Sequence, residues 1–349
     1  MPQKPVKIGF LGGGMMCQVG HLPFYRDDPR CEIACIAEPR PSLVAALAPV
    51  VGRDRIVADH RALLTMPEID AVVISAPRPA TGPLTLAALG AGKHVIAEKP
   101  MAHTVPQARR LVDAAAAKNL LYSVGYMKRF DPGIEAAAQT FDDLMRSGRL
   151  GKLLLARIYD FSKSYAVAPP PHARPAESRT ERFETWPPWP DWLAEAYREP
   201  YAWFLNAACH DVNLLHLFFP VARDVIAAHC LVDGSVSAVI DAAGVPVHLE
   251  IARTAAGRWL EGGEFLFERG RLRFTVPSPM DTAGVTRVRV DDEAGGADQP
   301  VATETGWSFA RQARGFVDAL SGAAPLRNPG AEGLRDLGLA EAIWRRASA

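Results

Sequence analysis

Short, unbroken apolar runs alternate with helix-forming stretches over the first 120 residues, and nothing else in the chain restricts its fold as much. The runs are Ile8 to Leu11, Ile33 to Ala37, Ala71 to Ser75, His94 to Ala97 and Leu121 to Val124; Ala- and Leu-rich segments such as Pro83 to Leu89 and Pro106 to Lys118 lie between them. A strand that is apolar on both faces has to be covered on both faces, and parallel neighbours joined through helices achieve that. The pattern predicts a doubly wound α/β domain.

After residue 150 the texture changes. Leu153 to Phe161 reads as a long strand, and a proline-rich stretch follows, with eight prolines between Pro169 and Pro200. That density forbids continuous helix or central strand. Trp186, Trp189, Trp192 and Trp203 sit in or just beyond it, a tryptophan content that points to an ordered excursion rather than a linker. Trp203 to Phe219 looks helical. Strand-like runs then come at Val225 to Val232, Val236 to Ile240, Val247 to Ile251, Phe265 to Phe267, Leu272 to Val276 and Val285 to Val290. Turn residues separate several of them and leave no room for crossover helices, so this sheet is expected to be open and mostly antiparallel. The chain closes on two helices, one with Phe309, Ala313, Phe316 and Leu320 on a single face, the other spanning Ala331 to Arg346.

The chain has 349 residues, which suits about two domains. Lys and Arg total 39 against 39 Asp and Glu, so there is no positive field for nucleic acid or an anionic membrane surface. No apolar stretch of about 18 residues suggests a span. Cys17, Cys31, Cys35, Cys209 and Cys230 form no C-x-x-C pair, and with a short polar start in place of a signal peptide they fit a cytoplasmic protein.

The first strand runs into Gly12-Gly13-Gly14-Met15-Met16-Cys17, a G-x-G-x-x-small turn in which backbone amides can approach a pyrophosphate at a helix N-terminus. Glu38 ends the second apolar run, where a carboxylate can accept hydrogen bonds from the adenosine ribose hydroxyls. A carboxylate there favours NAD, while Arg40 two residues on can pair with a 2′-phosphate, so NADP stays open.

A second signal is Glu98-Lys99-Pro100 after the fourth apolar run. With the glycine turn, Asp70-Ala71-Val72-Val73-Ile74-Ser75-Ala76-Pro77, Gly125-Tyr126-Met127-Lys128-Arg129-Phe130-Asp131-Pro132, the His210 helix and the Phe309 to Leu320 helix, it makes the chain resemble the glucose-fructose oxidoreductase / inositol dehydrogenase / rhizopine-catabolism (Gfo/Idh/MocA) family. The resemblance implies a Rossmann domain over 1–125 and an α+β domain over 126–349 for substrate binding and oligomerisation, the last helix free to return to the first domain. It implies an NAD(P)-dependent dehydrogenase or reductase acting on a sugar, cyclitol or glycoside, a homodimer or homotetramer through the C-terminal sheet, and a dinucleotide held by Gly12, Gly14, Met15, Met16, Glu38, Arg40, Ala76, Pro77, Thr81, Glu98 and Lys99. Lys99 takes the place of the lysine beside nicotinamide and substrate, and Glu98 falls near the nicotinamide-side ribose.

Two departures stand out. The family's Asp-x-x-x-His pair is Asn206-Ala207-Ala208-Cys209-His210 here, and Thr81 stands where a His is common. Asn206, His210 and Asn213 follow i, i+4, i+7 spacing and share one face of a helix. Asn orients a hydroxyl but takes no proton from it, so His210 is expected to be the base, with Lys99 assisting. Asn206, Asn213, Tyr126 and Trp203 are expected at the substrate. Arg129 fits either a pocket wall or an internal ion pair, and His216 reads as packing or surface. No second metal ligand shares the His210 face, so no metal is expected. A redox-assisted glycosidase or lyase with tightly bound NAD is the alternative enzyme; a non-catalytic NAD or sugar sensor is the other.

Overall fold

The computed structural model describes residues 4–161, 170–177, 183–254, 259–293 and 296–348. They divide into two compact units: Met1–Tyr126, Ala168–Pro190 and Phe309–Leu334 in the first; Met127–Val167, Asp191–Ser308 and Arg335–Ala349 in the second. Both units are thus discontinuous along the chain.

The first unit is a six-stranded parallel sheet in the order β3-β2-β1-β4-β5-β6. Its strands are β1 (Val6–Leu11), β2 (Cys31–Ala37), β3 (Ile56–Val57), β4 (Ala71–Ile74), β5 (His94–Ala97) and β6 (Tyr122–Val124). The helices between them are α1 (Leu22–Arg26), α2 (Pro41–Val51), α3 (His60–Leu64), α4 (Arg78–Gly90) and α5 (Val105–Ala117). Ala71, Val72, Val73 and Ile74 of β4 are all inaccessible, as strands covered on both faces require. Ile8, Phe10, Ile36, Val73 and Ile96 build a core that Ala313, Phe316 and Val317 complete, so the helical face read at Phe309, Ala313 and Phe316 is a buried one. Strand order reverses between β1 and β4, and ligands of open α/β sheets bind at the carboxyl ends of such a pair.

The second unit is built on an eight-stranded sheet, β14-β13-β12-β11-β7-β10-β9-β8. The strands are β7 (Leu153–Asp160), β8 (Asp224–Cys230), β9 (Val236–Ala242), β10 (Val245–Ile251), β11 (Glu261–Phe267), β12 (Gly270–Val276), β13 (Arg287–Asp292) and β14 (Gly296–Pro300). Only β7 and β10 run parallel; the other neighbours are antiparallel. Together with the parallel sheet this gives the expected fold class. The edge strand β14 has no apolar alternation and was not legible in the sequence; its place comes from pairing with β13.

One sheet face carries Ala156, Ile158, Val247, Leu249, Phe265, Leu272 and Phe274, all buried. Over it pack α6 (Pro132–Ser147) and α8 (Cys209–Phe218). Phe141, Phe218, Phe219, Phe265 and Phe274 interlock there, mostly edge to face, with the Phe218 and Phe265 centroids 4.8 Å apart. The opposite face carries ion pairs instead, Arg157 with Glu250 at 2.6 Å and Arg271 with Glu264 at 2.8 Å. Helix α7 (Arg198–Ala207) precedes α8, and α9 (Ser308–Leu320) and α10 (Gly330–Ser348) end the chain.

Phe265 touches four other rings, so truncating it leaves a cavity that those rings cannot all collapse into. Phe265→Ala is expected to lower unfolding free energy by about 3–5 kcal/mol, measured by denaturant titration; a loss under about 1 kcal/mol would show that the aromatic cluster does not hold this unit together.

Candidate functional site

In the first unit the β1 turn is set by sterics. Gly12 has φ +96°, and a β-carbon on it would stand 2.3 Å from the Ser75 carbonyl oxygen. No L side chain fits there. At Gly14 the nearest atom to such a carbon is the Arg40 guanidinium at 3.8 Å, so the backbone stays open on that side. Met15 and Met16 then lead into a wide helical turn, Met16–His21, with the Met16 methyl folded against Gly20. Cys17, the small residue of the turn, is wholly buried; burial, and then the Glu38 charge, push its thiol well up, so it serves as an apolar filler.

Glu38, at the end of β2, is 1% exposed. Its carboxylate accepts from the Gly13 amide at 2.8 Å, from the Arg40 amide at 3.0 Å, and from Arg40 Nε and Nη2 at 2.6 Å each. The ribose acceptor read from the sequence therefore also clamps the glycine turn to the Arg40 fork. Gly12, Glu38, Arg40, Ser75, Ala76 and Pro77 line a common cleft of about 410 Å³. Ala76 and Pro77 lead into α4, and the buried Thr81 hydroxyl donates back to the Pro77 carbonyl at 3.4 Å.

Beyond β5 come Glu98, Lys99 and Pro100. Glu98 is 8% exposed, and its Oε1 lies 2.9 Å from Nε2 of His21. Sequence reading missed His21, since nothing local marks it; it reaches Glu98 because the wide turn after the glycines carries it there. Lys99 is half-buried and its amide donates to Glu98 Oε2 at 3.3 Å.

In the second unit the helix expected over Trp203 to Phe219 is interrupted. Ala208 (φ −83°, ψ −3°) ends α7 and starts α8, so Asn206 and His210 sit on separate helical segments. Continuous i, i+4 spacing does not by itself relate them. His210 is 6% exposed and Asn206 half-buried. Trp203 packs where a β-carbon on Gly234 would fall, 2.6 Å from its ring, and Arg253 lies over it at 5.4 Å.

Asn213 was expected at the substrate. It is 1% exposed; its Oδ1 accepts from Arg129 Nε at 3.1 Å and its Nδ2 donates to Asp336 at 2.6 Å. Asp336 also meets Nδ1 of His216 at 2.6 Å, and Nε2 of His216 lies 2.9 Å from the Ala222 carbonyl. Arg129, Asn213, Asp336 and His216 thus form one buried chain that orients α8, and His216 is interior. Tyr126, 3% exposed, has its carbonyl held by Asn328 Nδ2 at 2.8 Å within the first unit.

A further group was invisible in sequence because four separate elements supply it. Lys128 pairs with Glu261 of β11, both buried, and Trp259 Nε1 donates to Glu261 at 3.0 Å. Asp211, the residue after His210, is fully buried, and among the described residues neither of its carboxyl oxygens meets a donor. Burial drives Asp211 far above the usual carboxyl range, despite Lys128. Burial also pushes Glu261 up to about 7 against the pull of Lys128. Lys128 loses to burial but gains more from the charges of Glu261, Asp211 and Asp160, and ends above its ordinary value. Beside the one ammonium, Asp211 and Glu261 therefore hold their protons toward neutrality. Among the described residues no three His, Cys, Asp or Glu side chains could hold a metal ion.

Known proteins can now be set beside this geometry. Residues 6–126 match the model of the oxidoreductase family with an NAD-binding Rossmann fold. Levoglucosan dehydrogenase of Pseudarthrobacter phenanthrenivorans is 30% identical over 159 residues, 44% of this chain and 40% of that protein. An inositol 2-dehydrogenase of Pseudomonas fluorescens is 33% identical over 152 residues, 43% of this chain and 44% of its own. The matched segments thus span less than half the length of these curated relatives. The solved 3-ketoreductase KijD10 of Actinomadura kijaniata, in complex with NADP and TDP-benzene, shares the fold over 98% of each chain at a TM-score of 0.76 and 22% identity.

A protonation test follows for Glu261. An unfolded Glu ionises near about 4.3, whereas in the fold this one ionises near about 7. Between those values the folded chain binds the extra proton, so the contribution is complete at the acid end and is lost as pH rises to about 7. Melting temperature followed from about pH 5 to about pH 8 should fall more steeply in the wild type than in Glu261→Gln; parallel profiles would contradict the shift.

Proposed function

We propose that the chain, whose residues 6–126 match the Gfo/Idh/MocA oxidoreductase family model, belongs to that family and catalyses reversible hydride transfer between a nicotinamide dinucleotide and a secondary alcohol of a sugar, cyclitol or glycoside. The observation that carries this reading is the β1 turn: Gly12 against the Ser75 carbonyl, open backbone at Gly14, and a cleft walled by Glu38, Arg40, Ala76 and Pro77 at the point where strand order reverses. Packing against Ser75 accounts for glycine at position 12, but no neighbouring atom demands it at position 14, where a phosphate-bearing ligand would.

Gly12, Gly14, Met15 and Met16 would hold the pyrophosphate; Ala76, Pro77 and Thr81 the β4 side; Glu98, through His21, the nicotinamide-side ribose. Bound nicotinamide supplies the hydride acceptor. Lys99 places an ammonium on the alcohol oxygen and stabilises the charge that develops on it. His210 takes the hydroxyl proton, and Asn206 orients that hydroxyl. Tyr126, Trp203 and Arg129 wall the substrate, while Asn213 holds Arg129 in place. Asp211 and Glu261 retain protons on the same unit as His210.

Self-association is assigned to the face of the eight-stranded sheet that bears Arg157, Glu250 and Arg271, and the cytoplasm is assigned as the compartment. No described helix is long and apolar enough to cross a membrane.

Two measurements test the reading. With a sugar and cyclitol panel and either dinucleotide, Lys99→Met and His210→Ala are each expected to lower kcat/KM by about 10²–10⁴-fold with normal folding; near-normal turnover in both would remove these residues from the chemistry. Because Glu38 is engaged by Arg40, the ribose wall is a neutralised pair that admits NADP as well as NAD. Arg40→Ala should therefore weaken NADP by about tenfold more than NAD in a binding titration. Equal losses would place Arg40 away from the 2′ position.

A further inference from the structure

One wall of the adenosine end comes from outside the strands and helices of the parallel sheet. The described residues 170–177 and 183–190 group with the first unit, although they follow β7 of the second in the chain. Two sets of contacts fasten the described parts of this segment. Near its start, the Glu177 carboxylate accepts from the Ser42 amide at 2.7 Å and from the Ser42 hydroxyl, and the same hydroxyl accepts from the Ala176 amide at 3.0 Å. Near its end, the Trp186 amide donates to the Pro79 carbonyl at 2.9 Å. The Trp186 ring fills the space that any side chain at Gly82 would need, a β-carbon there coming within 2.5 Å of it. The Arg110 guanidinium lies over the same ring at 4.8 Å, and Gln107 donates to the Pro187 carbonyl at 3.0 Å. These contacts account for Trp186, which is 8% exposed and works as an anchor on α4.

Phe183 lies between the two anchors. It lines the same 410 Å³ cleft as Gly12, Glu38 and Arg40, and its ring stands 5.8 Å from that of His60 at 53°. Burial holds His60 below its ordinary value, so near neutrality the imidazole is an uncharged planar group. An aromatic ring, a neutral imidazole and a guanidinium around one cleft offer flat faces for a flat heteroaromatic ligand. A carbohydrate would call for converging donors and acceptors instead.

We propose that Phe183 is an adenine-binding residue, and that residues 183–190, anchored through Trp186, wall the adenosine side of the dinucleotide site. The inference rests on the nucleotide reading above and adds to it a ligand contact from a distant part of the sequence. Stacking a base on an aromatic ring is worth roughly 1–3 kcal/mol, about 5- to 150-fold in Kd.

Calorimetric titration of the full chain with NAD, NADP, adenosine 5′-diphosphate and nicotinamide mononucleotide tests it. Phe183→Ala should weaken both dinucleotides and adenosine diphosphate by about tenfold or more, leave nicotinamide mononucleotide unchanged, and speed dinucleotide release in stopped flow. Phe183→Leu, which keeps apolar volume but no ring face, should show the same pattern, and Phe183→Trp should retain wild-type affinity. If the wild type binds adenosine diphosphate and the Ala and Leu variants bind it equally well, Phe183 is not the adenine wall and the dinucleotide site stands without it. An equal loss for nicotinamide mononucleotide would mean that Phe183 acts on the unit as a whole, which also overturns the proposal. A wild type that binds no adenine nucleotide would overturn the nucleotide reading itself.

Discussion

The Ser75 carbonyl oxygen occupies the place where a side chain on residue 12 would begin, and the proposed dinucleotide site depends on that contact. It brings the end of β4 against the turn after β1, at the reversal of strand order. With the turn fixed there, the Gly13 amide reaches Glu38, Glu38 holds Arg40, and Arg40 comes to lie over Gly14. The same turn directs the wide helical segment that delivers His21 to Glu98. All of these contacts except Glu38–Arg40 join residues distant in sequence, and the turn that gathers them rests on a backbone at Gly12 that a β-carbon would forbid.

The second unit solves a different problem. Its sheet is packed on one face by interlocked phenylalanines and bears ion pairs on the other. Within that unit Lys128, Asp160, Asp211 and Glu261 keep several ionisable groups out of water, which is unfavourable for stability unless they share charge and protons. Asp211, wholly buried directly after His210 in the chain, puts an ionisable group inside the packing of the helix that bears the proposed base.

Much of this was legible in the sequence where one physical rule acts locally. Runs apolar on both faces gave β1, β2, β4 and β5 because coverage of a parallel sheet leaves no other residue choice. Strand-like runs separated by turn residues gave β9, β10 and β12 in the open sheet. The glycine turn was legible because glycine is the residue that a crowded carbonyl permits. What the sequence could not show arises from contacts between distant segments. Nothing near His21 announces Glu98, nothing near Lys128 announces Glu261, and the role of Asn213 as a strut depends on Asp336, more than a hundred residues away. The tryptophans after residue 169 pointed to order, yet Trp186 anchors to Gly82 and Pro79 of the parallel-sheet unit, which composition alone does not reveal. The break at Ala208 escaped because alanine is a good helix former and carries no stop signal.

The central claim is that the cleft around Gly12, Glu38 and Arg40 is a dinucleotide site. Equilibrium binding of NAD and NADP to the unmodified protein, read by calorimetry, tests it most directly. Saturable binding of at least one of them, at one site per chain and competed by adenosine diphosphate, is the predicted result. Failure of both to bind, by a protein shown to be folded, would contradict it.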